Sequence, residues 1–141
     1  MTEIRIVRDY PHPPAKVWRA LTEPELIARW GMRPEGFSTS VGTRFKLVGE
    51  PNKHWRGFVE CEMLEASEPT RLRYSWVGDD GPEAVTTYVT FTLEPRSSGT
   101  RLTFEHAGFR GVSGFLLAKL VMTAGWKKML DQAFAAVLNA T

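Results

Sequence analysis

The chain has 141 residues, 43% of them hydrophobic and 24% charged, which suits a single globular domain (residues 1–141) and excludes a disordered chain. Its 18 Lys and Arg nearly balance 16 Asp and Glu, and a net charge of +2 without a dense basic run argues against a nucleic-acid partner. Cys61 is the single cysteine, residues 1–8 lack the apolar core of a signal peptide, and no stretch reaches the ~18 apolar residues that span a bilayer, so a cytoplasmic protein without membrane insertion is expected.

Ile4, Ile6 and Val7 among charged residues predict a strand over residues 3–10, stopped by Pro11. Pro13 and Pro14 suit a helix start, where a missing N–H costs nothing, and Val17, Trp18 and Leu21 give that helix one buried stripe. Thr22 reads as the N-cap of a second short helix, with Pro24 in its first turn and Glu25 at the capping-box position. Leu26, Ile27 and Trp30 form its apolar side and Gly31 ends it.

From Phe37 the period changes to two. Phe45 and Leu47, with Val41 as a further candidate, alternate with Arg44 and Lys46. Val59, Cys61 and Met63 alternate with Glu60 and Glu62, and Leu72, Tyr74 and Trp76 with Arg71, Arg73 and Ser75. Val85, Val89, Phe91 and Leu93 alternate with threonines and Tyr88, and Leu102, Phe104 and His106 with Arg101, Thr103 and Glu105. Turns are expected at residues 49–53, 67–70, 78–82 and 95–99. These are strands of an antiparallel sheet with one apolar and one wet face. After a loop at 108–114, residues 115–139 read as one helix. Leu120, Val121, Met122, Trp126, Met129, Leu130, Phe134, Val137 and Leu138 recur at helical spacing, while Lys119, Lys127, Lys128, Asp131 and Gln132 take the other side. Gly125 interrupts it at a cost of about 1 kcal/mol, which points to a close packing contact or a slight bend.

The chemistry-bearing residues are sparse. His12, His54 and His106 stand far apart and Cys61 stands alone, so no metal is expected. Gly111-Val112-Ser113-Gly114 is not a nucleophile elbow, and no phosphate-binding glycine loop occurs, so no cofactor is expected. Glu60 and Glu62 share a strand face opposite the apolar one and read as a solvated surface. Arg8 shares parity with Ile4 and Ile6, which would turn it inward toward a carboxylate, against the usual tendency of long basic chains to reach out to solvent. His106 follows Leu102 and Phe104 in parity and faces the interior at a strand end. There it either bonds to backbone at a cavity rim or serves as a ligand contact or proton donor. Inward parity and aromatic content nominate a mainly apolar pocket between sheet and long helix, lined from among Phe45, Tyr74, Trp76, Phe91, Phe104, His106, Met122, Trp126 and Leu130.

Several segments together carry a family resemblance. They are Pro13-Pro14-Ala15-Lys16-Val17-Trp18-Arg19-Ala20-Leu21-Thr22-Glu23-Pro24-Glu25-Leu26, then Trp30, Arg71-Leu72-Arg73-Tyr74-Ser75-Trp76, Thr100-Arg101-Leu102-Thr103-Phe104-Glu105-His106 and Gly125-Trp126. In this order the chain resembles the START-like (SRPBCC) superfamily with its helix-grip fold. It is closest to the group similar to the C-terminal domain of the activator of heat-shock protein 90 ATPase. The resemblance implies an α+β fold in which about six or seven antiparallel strands curve around a long C-terminal helix, with two short helices after the first strand. That scaffold serves ligand carriers, cyclases and chaperone regulators. The expected function is binding of a small apolar or aromatic molecule, lipid- or polyketide-like. A chaperone partner, or a cyclase or hydrolase using the same pocket, is the alternative.

Overall fold

The chain opens with β1 (Thr2–Tyr10), followed by α1 (Pro14–Thr22) and α2 (Pro24–Trp30). Pro14 and Pro24 each occupy a first helical position, where the fixed φ suits the helix. Thr22 does not cap α2: it is the last residue of α1, and its hydroxyl donates to the Trp18 carbonyl at 2.8 Å. Glu23 takes the N-cap position without a side-chain bond. The Trp30 indole N–H donates to the Ala20 carbonyl at 2.8 Å and ties α2 onto α1.

Six more strands follow: β2 (Arg33–Glu35), β3 (Arg44–Val48), β4 (Phe58–Ser67), β5 (Arg71–Trp76), β6 (Thr87–Arg96) and β7 (Gly99–Ala107). All pair antiparallel in one sheet of order β1-β7-β6-β5-β4-β3-β2. β2 has no alternation to announce it; three residues around Pro34 complete the edge. Val41 lies outside β3 and is exposed, because the chain turns there. The computed structural model describes residues 2–53, 55–78, 84–109 and 115–141. His54, most of the expected hairpin loop at 78–82 and most of the loop at 108–114 lie outside these.

The long helix runs as α3 (Phe115–Lys128), a π-helical turn (Met129–Ala133) and α4 (Phe134–Ala140). Trp126, Leu130, Phe134, Val137 and Leu138 form its buried stripe against the sheet. The π turn is held from β1. The Tyr10 hydroxyl donates to the Leu130 carbonyl at 2.8 Å, and the Arg8 guanidinium pairs with Asp131. Arg8 therefore turns toward the helix and meets a carboxylate, as its parity suggests. Tyr10 and Trp30 both set ring edges against Phe134, at 5.4 and 5.3 Å between centroids, so the short helices close over the second half of the long one.

The helix departs from the expected pattern in one respect. Leu120 and Val121 are 70% and 62% exposed rather than on the buried stripe. At 100° per residue they fall on the same side as Ala124, Lys127 and Lys128, which are also exposed. No helix among the described residues is long and apolar enough to cross a membrane.

Candidate functional site

Sheet parity brings most of the nominated residues together. On the concave face, β6 and β7 place Phe91 opposite Phe104 and Val89 opposite His106, and β5 places Tyr74 opposite Val89. The helix adds Trp126 and Leu130. Phe91, Phe104, His106 and Leu130 are fully buried, Phe45, Tyr74 and Trp126 nearly so, and Trp76 and Met122 half-buried at the edge of the core. The rings touch one another. Trp126 lies 4.2 Å from Phe104, 5.5 Å from Trp76 and 6.4 Å from Phe91 between centroids, and Phe45 sets an edge on Tyr74 at 5.3 Å.

His106 sits among these rings in a closed set of hydrogen bonds. The Trp126 indole N–H donates to Nδ1 at 3.2 Å. Nε2 lies 2.8 Å from the Thr87 hydroxyl, which donates to the Trp76 carbonyl at 3.0 Å. Nδ1 accepts and the Thr87 proton is already committed, so Nε2 carries the hydrogen and donates to Thr87. Burial pushes the His106 pKa down to about 3, which keeps the ring neutral near pH 7. The expected backbone bond at a cavity rim is replaced by two side-chain partners; the backbone is reached one step later, through Thr87. A ring satisfied on both nitrogens and held neutral has no proton poised for acid catalysis in this state.

Thr87 shares the inward parity of Val89 and Phe91, so the period-two pattern carried its signal. Phe109, packed on His106 at 4.6 Å, had no such signal. Nor did Glu3, whose Oε1 accepts from the backbone N–H of Gly108 and Phe109 at 2.9 and 2.6 Å, fastening the end of β7 to β1. Tyr74 and Cys61 are buried close by; desolvation raises both, Cys61 to about 12, so the thiol is no nucleophile at neutral pH. Among the described residues no three His, Cys, Asp or Glu side chains gather to hold a metal.

Two of the clefts among the described residues bear on the nominated set, and the second borders none of its nine members. One, of about 740 Å³, opens on the outer face of β3–β6 among Arg44, Lys46, Glu60, Glu62, Leu64 and Tyr88; of the nine nominated residues it includes Phe45. Glu60 pairs there with Arg56 and Glu62 with Arg44, the solvated surface expected of these carboxylates. The other, of about 360 Å³, is a mainly apolar crevice between the end of α2 and the flank of the long helix. Trp30, Gly31, Met32, Gly125, Met129 and Ala133 border it, with Lys128 and Gln132 at the rim. Gly125 is no close-packing glycine: a Cβ added there would meet nothing within 4 Å. The glycine borders open space, one residue before buried Trp126.

Known proteins place this architecture. The chain is similar to protein MLL2253 from Mesorhizobium loti, at 34% identity and a TM-score of 0.83, over 98% of this chain and 97% of that one. It is similar to CalU16 from Micromonospora echinospora, at 30% identity and a TM-score of 0.72, over 95% of this chain and 73% of the other. At 18% identity, where likeness speaks for the fold alone, it matches the Aha1 dimer from Colwellia psychrerythraea with a TM-score of 0.76, over 95% of this chain and 94% of that one. No functionally curated protein matches. The profile of the Activator of Hsp90 ATPase homolog 1-like proteins matches residues 11–139, nearly the whole helix-grip scaffold described above, and the chain belongs to that family.

Proposed function

We infer that this protein binds a small apolar or aromatic molecule, lipid- or polyketide-like, between the curved sheet and the long helix. The nominated residues Phe45, Tyr74, Trp76, Phe91, Phe104, His106, Met122, Trp126 and Leu130 supply the apolar walls, with indole, phenol and imidazole groups as polar tips. The observation that carries this reading is Gly125. A helix interior disfavours glycine by about 1 kcal/mol relative to alanine. Here Gly125 borders a mainly apolar crevice between the end of α2 and the long helix, one residue before Trp126. The ligand enters along that crevice. Half-buried Met32, Met122 and Met129 stand at the edge of the core, and unbranched thioether chains re-pack readily around a guest. In this reading the ring contacts of the present state are the closed form, which a ligand parts by displacing Trp126 from Phe104.

Native mass spectrometry of protein purified from its own host tests this. The expected result is a copurifying small apolar molecule that leaves on denaturation. A chaperone copurifying in its place would favour the regulator reading that the family's name suggests. Consumption of the bound molecule on incubation would favour an enzyme.

A further inference from the structure

The outer face of α3 is built against expectation. A helix lying on a sheet turns polar residues to solvent, and one that is apolar all round needs cover on both sides. Residues 115–126 carry a single charge, Lys119, although this helix has solvent on one side. Leu120 and Val121 are 70% and 62% exposed, and Ala124 continues their strip one turn on. Lys127 and Lys128 follow on the same face, both exposed. The sequence holds no Asp or Glu over residues 106–130, though it holds Arg110, Lys119, Lys127 and Lys128. The next acidic residue on this face, Asp131, is paired with Arg8.

We propose that the outer face of α3 docks on an anionic lipid surface, with Leu120 and Val121 entering the headgroup layer and Lys127 and Lys128 pairing with lipid phosphates. Charge selects this occupant. An apolar strip ended by two lysines, with the one nearby carboxylate, Asp131, already paired to Arg8, matches a negatively charged interface. The lysine stems let their ammonium groups reach the headgroups while the aliphatic part lies along the apolar strip. The face is the convex side of a helix, which suits a planar interface better than a peptide groove. Docking this way is peripheral and needs no spanning segment.

Sedimentation of the intact protein with vesicles tests the proposal. Phosphatidylcholine vesicles containing phosphatidylglycerol should bind it at least about tenfold more tightly than phosphatidylcholine alone, and added salt should weaken the binding. Each lysine near an anionic surface contributes about fivefold. Lys127→Gln with Lys128→Gln should therefore lose about 25-fold, and Leu120→Ser with Val121→Ser should lose at least about tenfold. These side chains are exposed, so thermal melts of both double variants should match the unaltered protein. No sedimentation with the anionic vesicles would overturn the proposal, as would equal binding to both vesicle types or full binding by the serine variant. So would a self-associated form dispersed by Leu120→Ser with Val121→Ser, which would assign the face to a second copy. Ligand binding between sheet and helix is read by a separate measurement, so either proposal can fail alone.

Discussion

The Trp126 indole N–H donates to Nδ1 of His106 at 3.2 Å, joining the long helix to the last strand of the sheet by a hydrogen bond inside an aromatic cluster. The bond holds only while the imidazole is neutral. Burial secures that by pushing the His106 pKa from 6.5 down to about 3. A depressed folded-state value means that His106 supports the fold above its ordinary pKa, and that this support is lost as the pH falls from about 6.5 toward 3. Between pH 7 and pH 5, urea unfolding of the unaltered protein should lose about 2 kcal/mol more than that of His106→Gln. Equal losses would show that His106 is not buried neutral.

Trp126 itself is the largest test of the aromatic cluster. It is 4% exposed and touches Phe104, Trp76 and Phe91. Trp126→Ala should cost about 3–5 kcal/mol in urea unfolding. Trp126→Phe keeps most of the packing but leaves Nδ1 of His106 without its donor, and should cost about 1–3 kcal/mol. A loss below about 1 kcal/mol for the alanine variant would mean that the indole packs loosely.

The seam between β1 and the π turn contains a buried and an exposed interaction on neighbouring residues. Tyr10→Phe leaves the buried Leu130 carbonyl without its donor and should cost about 1–2 kcal/mol. Asp131→Asn breaks a solvent-exposed ion pair and should cost less than about 1 kcal/mol. Chemical denaturation of the two variants measures the contrast, and the reverse order would contradict the assignment of Tyr10 as the pin of the π turn.

The fold was largely legible in the sequence because its signals are periodic. Period-two alternation marked β3 to β7, and the buried stripe from Trp126 to Leu138 marked the second half of the long helix. The elements that the sequence does not announce have no period. β2 is three residues around a proline, and the π turn at Met129–Ala133 is a shift of one residue in a hydrogen-bond ladder. Thr22 satisfied a capping rule by sequence, yet its hydroxyl found the Trp18 carbonyl first. Leu120 and Val121 read as buried because they are apolar, although their angular position puts them with Lys127 and Lys128. The aromatic cluster was legible as a set of inward-facing residues. The bonds of His106, the Glu3 fastening at the end of β7 and the crevice at Gly125 are tertiary, and no spacing along the chain encodes them.

Gly125 offers the most direct measurement. Gly125→Ala should stabilise the protein by up to about 1 kcal/mol, since the helix gains propensity and the new methyl meets nothing within 4 Å. Gly125→Leu should keep the fold and lay its side chain across the crevice. The decisive experiment titrates both variants and the unaltered protein with an environment-sensitive apolar dye. The account predicts saturable binding by the unaltered protein and by Gly125→Ala, weakened at least about tenfold in Gly125→Leu at unchanged thermal stability; a 1.4 kcal/mol loss corresponds to tenfold. Absence of dye binding by the unaltered protein, or undiminished binding by Gly125→Leu, would contradict it.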